Sequence, residues 1–297
     1  MTDPYPPAWL DRAAYPFAGR HLATPEGRLH YLDEGNGPPV VLVHGTPTWS
    51  FLWRHVVSGL AQKYRVIVPD HLGFGLSDKP PHAGYTPADH ARRLTALLAH
   101  LDVRDATLVV HDFGGPIGLA HAIAHPDRVS RLVLCNTWLW DLGGDPRMAR
   151  GGRLAAGPIG RFLYRRLNFS PRVLIPAGFG DRRALTPAVH RQYLAPFPSA
   201  ADREAPAALA RALLAEGAWY ERLWQRRAAL QGKPALLLWG MRDPAFGPAY
   251  LARWREALPQ ARVVEYADAG HFVPEEVGGA LLPELRRFLD APTREAA

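Results

Sequence analysis

The chain has 297 residues, 47% of them hydrophobic and 21% charged, a composition that can bury a large core without help from disulfides or metal. Its one cysteine, Cys135, excludes an internal disulfide and reads as a small buried residue in the apolar run LVLCN. The net charge of +7 rests on arginines scattered among alanine and proline, with three lysines among 35 basic residues, and no basic cluster interleaved with aromatics as in a nucleic-acid platform.

The start, MTDPYPPAWL, has no basic segment followed by an apolar one, so no signal peptide is expected. The apolar runs are strand-length, far short of a membrane span, and a cytoplasmic location follows by default. RLHYLDEG alternates and is broken by NGPP, which suggests a hairpin. VVLVHG (40–45) and RVIVPD (65–70) are continuous apolar runs, as in strands buried on both faces. SFLWRHVVSGLAQ has helical spacing, and TPADHARRLTALLAHL starts with a Thr-Pro cap and runs as an amphipathic helix. ATLVVHD (106–112) reads as a strand, GPIGLAHAIAHP as a helix stopped by Pro126, and VSRLVLCNT (129–137) as the next strand. This alternation predicts an α/β fold: a parallel sheet with helices on both faces.

The rhythm fails from Trp138 to about Pro206, where Gly, Pro, Arg and Ala dominate and only short helical pieces such as IGRFLYRRL occur. It resumes with the helix AWYERLWQRRAALQG, the strands PALLLWG (234–240) and ARVVEYADA (261–269), and a closing helix in EVGGALLPELRRFLD. The expected organisation is a core in two parts, residues 1–137 and 213–297, with a helical cap at 138–212. An insertion on the C-terminal side of parallel strands lies over the ligand site. Large apolar residues in and beside it, Phe162, Leu163, Phe179, Phe197, Trp219 and Trp224, predict an apolar pocket.

Three turns at strand ends carry the chemistry. Asp112 follows ATLVVH, Asp243 lies in WGMRDPAFG, and His271 lies in DAGHFVPEE. Each alone has an ordinary explanation as a helix cap, a turn former or a satisfied loop histidine. Together, in the order nucleophile, acid, histidine, they match a catalytic triad. HGTPTWSFLWR, after the first buried strand, supplies an oxyanion loop, with the amides of Thr46 and Phe113 converging on one point. His44 is read as a brace of that loop, and His111 as structural.

A carboxylate nucleophile has a chemical consequence. Attack by a serine on a saturated carbon would leave a dead ether. Attack by a carboxylate leaves an alkyl ester, whose carbonyl activated water can hydrolyse. Asp112 therefore selects substrates with an electrophilic sp³ carbon, a carbon–halogen bond or an epoxide. His271 serves as base only in the second step, oriented by Asp243.

HGTPTWSFLWR, VVHDFGGPIGL, WGMRDPAFG and AGHFVPEE resemble the corresponding motifs of haloalkane dehalogenases and, more distantly, of epoxide hydrolases. The likeness covers residues 20–137 and 213–290 and is weak in the cap. It implies an α/β-hydrolase fold, with a mostly parallel eight-stranded sheet and an inserted helical cap, and a hydrolase that cleaves carbon–halogen bonds through an ester on Asp112; the missing motifs add the expectation of no cofactor and no metal. Two positions depart from the family. Where the family places Trp after the nucleophile as a halide donor, this chain has Phe113, which has no side-chain donor; where many members have Asn, it has Thr46. The resemblance thus implies weak dehalogenase activity or another donor set, with Asn136, Trp138 and Trp140 in CNTWLWD as candidates.

An epoxide hydrolase would need two cap phenols, and Tyr164, Tyr193 and Tyr220 are available. A haloacid dehalogenase would want Arg beside the nucleophile, where Phe113 stands. A ligand-binding protein on the same fold and a cofactor-independent oxygenase are the rivals from other classes. His121 and His125 are four apart without the Glu of a zinc motif, and no glycine fingerprint follows a strand. The expected partners are a small apolar substrate and water, with no nucleic acid and no membrane.

Overall fold

The computed structural model describes residues 6–292, so the first five residues, on which part of the N-terminal reading rests, lie outside the described residues. Eight strands form one sheet: β1 Arg20–Thr24, β2 Gly27–Glu34, β3 Pro39–Val43, β4 Arg65–Pro69, β5 Ala106–His111, β6 Val129–Cys135, β7 Ala235–Gly240 and β8 Arg262–Tyr266. Their spatial order is β1-β2-β4-β3-β5-β6-β7-β8, antiparallel at the β1–β2 and β2–β4 pairs and parallel from β4 onward.

The hairpin expected after RLHYLDEG lies at the other end of that strand. Thr24 pairs with Gly27, so β2 turns back onto β1, a strand the sequence reading did not anticipate. On its other side β2 pairs with β4, not with the strand that follows NGPP. The alternating pattern was legible, but which neighbour a strand takes is decided by the crossover between β3 and β4.

That crossover is helix α1, Arg54–Leu60. Helix α2, Pro87–His100, starts where the Thr-Pro cap predicts: the Thr86 hydroxyl accepts from the Asp89 amide, and the Asp89 carboxylate accepts from the Thr86 amide. Helix α3, Gly114–Ala124, follows β5. In β3, Val41 and Val43 pack on one face of the sheet while Val40 and Leu42 pack on the other, and Leu108 and Val109 in β5 divide likewise. Continuous apolar strands thus feed two cores, as buried parallel strands must.

Between β6 and β7 lie α4 Pro146–Ala156, α5 Pro158–Leu167, a π turn at Ser170–Leu174, α6 Ile175–Gly178, α7 Pro187–Leu194, α8 Glu204–Ala215 and α9 Gly217–Gln225. α8 packs on α4 and α5, whereas α9 also packs on α3. The expected cap boundary at 212 therefore falls inside α8, whose apolar repeat gives no sign of where cap ends and core begins. After β7 come α10 Pro248–Ala257, α11 Val273–Glu276 and α12 Leu282–Asp290. The single closing helix is broken at Gly278, which has a φ of +53° that favours glycine.

Candidate active site

Asp112 sits on the turn between β5 and α3 with a φ of +53°, a conformation rare for a residue with a side chain. Such strain persists only when the surroundings fix it. Here the Thr137 hydroxyl donates to the Asp112 carbonyl at 2.6 Å, and the Asp112 amide donates to the Asn136 carbonyl at 3.2 Å. Two glycines make room: a Cβ on Gly114 would strike the Val43 carbonyl, and one on Gly45 would strike the Asp112 carboxylate.

The Asp112 carboxylate accepts from the Thr46 amide at 2.8 Å through Oδ2 and from the Phe113 amide. The oxyanion loop is fixed from behind. His44 donates from Nδ1 to the Gly45 carbonyl at 2.6 Å and accepts at Nε2 from the His71 amide at 2.9 Å. His44 is fully buried and held below its usual range by that burial, so it stays neutral.

His271 Nε2 lies 3.7 Å from Asp112 Oδ1, and Nδ1 donates to Asp243 Oδ2 at 2.9 Å. The ring is positioned through its backbone. Its amide donates to the Gly178 carbonyl at 2.7 Å, and its carbonyl accepts from His111 Nε2 at 2.8 Å. Glu276 ties the loop to the cap, accepting from the Gly270 amide at 2.9 Å and from the Gly180 amide at 2.8 Å. Burial pushes His111 down to about 3, so it is a neutral brace rather than a reacting base.

Burial pushes the Asp112 carboxyl up to about 6, against the pull of the facing imidazole and the two amides. Burial works to lower His271, but the charge and hydrogen bond of Asp243, with the charge of Asp112, overcome it and raise the ring to about 9. Burial also opposes ionisation of Asp243, yet its contacts with His271, the Ala245 amide and Asn136 hold it below the usual carboxylate value. These directions favour an imidazolium lying between two carboxylates at neutral pH. An ester on Asp112 would remove one of the two charges that keep the ring protonated, lowering the pKa of His271 at the stage where a base is required.

The candidate donors in CNTWLWD do not reach the site. Asn136 spends its amide on the Gly240 carbonyl at 3.1 Å, Asp243 Oδ2 at 2.8 Å and the Phe246 carbonyl at 3.4 Å, so it holds the Asp243 carboxylate in place. Trp138 is fully buried behind Phe113, edge-on with ring centroids 4.8 Å apart. Trp140 packs among Trp224, Tyr250 and Trp254. Neither indole lines the cavity over Asp112. In a helical or irregular segment, a side chain's direction cannot be read from spacing alone.

That cavity measures about 450 Å³ and is lined mostly by apolar side chains, among them Phe113, Phe169, Phe246 and Phe272. The cavity is apolar as expected, but of the six large residues from which that was read only Leu163 lines it; Phe179, Phe197 and Trp224 are buried in the cores, and Phe162 is 57% exposed. Two polar side chains that line the cavity have no hydrogen-bond partner among the described residues. The Thr46 hydroxyl is buried and makes no hydrogen bond. The Tyr164 phenol lines the cavity, and burial, with the nearby Asp112 charge, raises it to about 12. Tyr193 donates instead to Glu275 at 2.5 Å, and Tyr220 to the Ala212 carbonyl at 3.1 Å, which removes the second phenol an epoxide hydrolase needs.

Residues 38–276 match the model of the alpha/beta hydrolase fold. The chain belongs to the α/β-hydrolase family. Within it the chain falls in the group that holds the haloalkane dehalogenases. It is 39% identical to haloalkane dehalogenase 2 of Mycobacterium tuberculosis, covering 90% of this chain and 93% of that one. It is 38% identical to a cis-3-alkyl-4-alkyloxetan-2-one decarboxylase of Xanthomonas campestris, covering 93% and 97%. Among solved structures, haloalkane dehalogenase DatA of Agrobacterium tumefaciens superposes with a TM-score of 0.82 at 27% identity over 94% of this hydrolase and all of that chain. Among the described residues of this hydrolase no three His, Cys, Asp or Glu side chains gather as a metal site.

Proposed function

We propose that this hydrolase cleaves carbon–halogen bonds of apolar haloalkanes through an alkyl ester on Asp112. Asp112 Oδ1, the carboxylate oxygen not held by the Thr46 amide, attacks the carbon bearing the halogen, and the bond electrons leave with the halide. With the Asp112 charge lost to the ester, His271 gives up its proton to solvent; water between the ring and the ester carbonyl then loses a proton to Nε2 and adds to that carbonyl. The tetrahedral oxyanion forms at Oδ2, where the Thr46 amide already donates at 2.8 Å. Collapse breaks the ester bond, the alkoxide takes the proton of the added hydroxyl and leaves as alcohol, and the imidazolium again lies between the Asp112 and Asp243 carboxylates. The carrying observation is a carboxylate that accepts from the Thr46 amide, opposite a histidine whose other nitrogen is held by a second carboxylate. The assembled triad speaks against a mere ligand-binding role, and the lone cavity phenol against an epoxide hydrolase.

The Thr46 hydroxyl and the Tyr164 phenol are assigned to the leaving halide in place of the missing indole. Tyr164→Phe is expected to slow halide release from 1-bromobutane about tenfold in kcat/KM, the effect of one lost donor. Unchanged halide release would take Tyr164 out of this role.

The absence of a side-chain donor at Phe113 favours one second reading, in which the leaving group stays inside the substrate. Asp112 would open an alkyl-substituted β-lactone at its saturated C–O carbon, leaving a free carboxylate. Loss of CO2 then forms the alkene and returns the ester bond electrons to Asp112. No water or base is consumed, so His271 would be dispensable. Assaying halide release from bromoalkanes beside alkene release from a cis-dialkyl β-lactone tests the two readings. Halide release abolished by His271→Gln supports the first, and alkene release that survives it supports the second.

A further inference from the structure

The large apolar side chains that stand exposed among the described residues all fall in one stretch of the cap: Leu154, Ile159, Phe162, Leu167, Val173 and Leu174. A contiguous exposed apolar patch marks a binding surface or a liability. Helix α5 shows how it arises. Leu163 and Tyr164 line the cavity, while Ile159 and Phe162, a turn apart, are 64% and 57% exposed. A helix apolar on two sides needs a partner on each. Leu154 and Leu174 both line the cavity and stand exposed, so these two members of the group sit at its mouth.

The stretch of chain that carries these residues is basic. From Pro146 to Gly180 the chain carries seven arginines and no Asp or Glu. Arg165 pairs with Glu204 at 3.2 Å, and Arg147 donates to the Pro244 carbonyl at 2.7 Å. Arg150, Arg153, Arg161, Arg166 and Arg172 are exposed and have no carboxylate within ion-pair distance among the described residues.

We propose that this face docks the cap on an anionic lipid surface, with Ile159 and Phe162 entering the headgroup–acyl boundary and the arginines meeting lipid phosphates. An apolar face flanked by basic residues is the chemistry of such peripheral association. A second copy fits worse, because a two-fold contact would set an arginine-rich face, with five arginines unpaired among the described residues, against itself. The mouth then opens toward the phase in which apolar substrates concentrate. Docking does not depend on which leaving group the site accepts. It departs from the sequence expectation of no membrane partner, which rested on the absence of a spanning segment; among the described residues no helix is long and apolar enough to cross a membrane. Exposure of Ile159 and Phe162 was not legible from spacing.

The test is co-sedimentation of the full chain with phosphatidylcholine vesicles, with and without about 30% phosphatidylglycerol, at low and high salt. Binding is expected only to the anionic vesicles, weakened by salt. The double variant Ile159→Asp/Phe162→Asp and the triple variant Arg161→Ser/Arg166→Ser/Arg172→Ser should each lose at least about tenfold of it. Both sets of residues are exposed and outside the cavity, so halide release from soluble bromobutane should persist. No binding, equal binding to neutral vesicles, or a wild-type dimer that the double variant makes monomeric would overturn the proposal.

Discussion

Asp112→Asn is expected to leave no measurable turnover and yet to melt at a higher temperature than the wild type. The amide keeps the shape and still accepts from the Thr46 amide, but it is no nucleophile, and a loss of about 10⁴-fold or more in kcat is the scale for removing such a group. The stability gain follows from burial. The carboxyl is raised from 3.8 to about 6, so the folded state holds it ionised at a cost. The sign follows from linkage: with the folded value above the unfolded one, the cost is full above about pH 6, shrinks as pH falls through that value, and is gone below 3.8. Removing the charge should therefore add about 1 to 3 kcal/mol at neutral pH, or roughly 2 to 6 °C. The gain should vanish in acid. Equal melting temperatures of variant and wild type at neutral pH would mean that the site carries no such strain.

Glu275→Ala is expected to cause the largest stability loss. Arg54 is 6% and Glu275 7% exposed, and the guanidinium grips the carboxylate with two bonds, of 2.6 and 2.5 Å. The Tyr193 phenol donates to the same carboxylate. Deleting Glu275 leaves a buried cation and a buried hydroxyl unpaired, which costs about 3 to 5 kcal/mol. The melting temperature should fall by roughly 6 to 12 °C. Replacing both partners, Arg54→Met with Glu275→Leu, should recover most of it. A single variant that melts like the wild type would show that water reaches the pair. Glu275 lies four residues after His271 on α11, so the loss is expected to loosen the histidine loop as well.

Much of this site was written in short stretches whose backbone leaves little choice. Asp112, Asp243 and His271 were legible because each stands just past a continuous apolar run, and parallel strands deliver such residues to one edge. The amides of Thr46 and Phe113 were legible because a turn after a strand exposes its N–H groups. Side chains beyond the turns were not. Asn136 was a candidate halide donor, but a φ of +31° turns it so that it holds Asp243. Trp138 and Trp140 were candidates by type, and their indoles went to packing. The cap was the least legible part. Phe162 and Leu163 are neighbours in sequence, yet one faces solvent and the other the cavity, because the helix turns between them. The brace of Glu276 on the Gly180 amide joins segments 96 residues apart and leaves no local trace.

The central claim is that Asp112 forms an ester which His271 removes. Intact-protein mass spectrometry of His271→Gln after incubation with 1-bromobutane tests it most directly. The account predicts one butyl group per chain, on the peptide that contains Asp112, absent from wild type and from Asp112→Asn. A variant that releases halide at the wild-type rate with no adduct, or an adduct on any other residue, would contradict it.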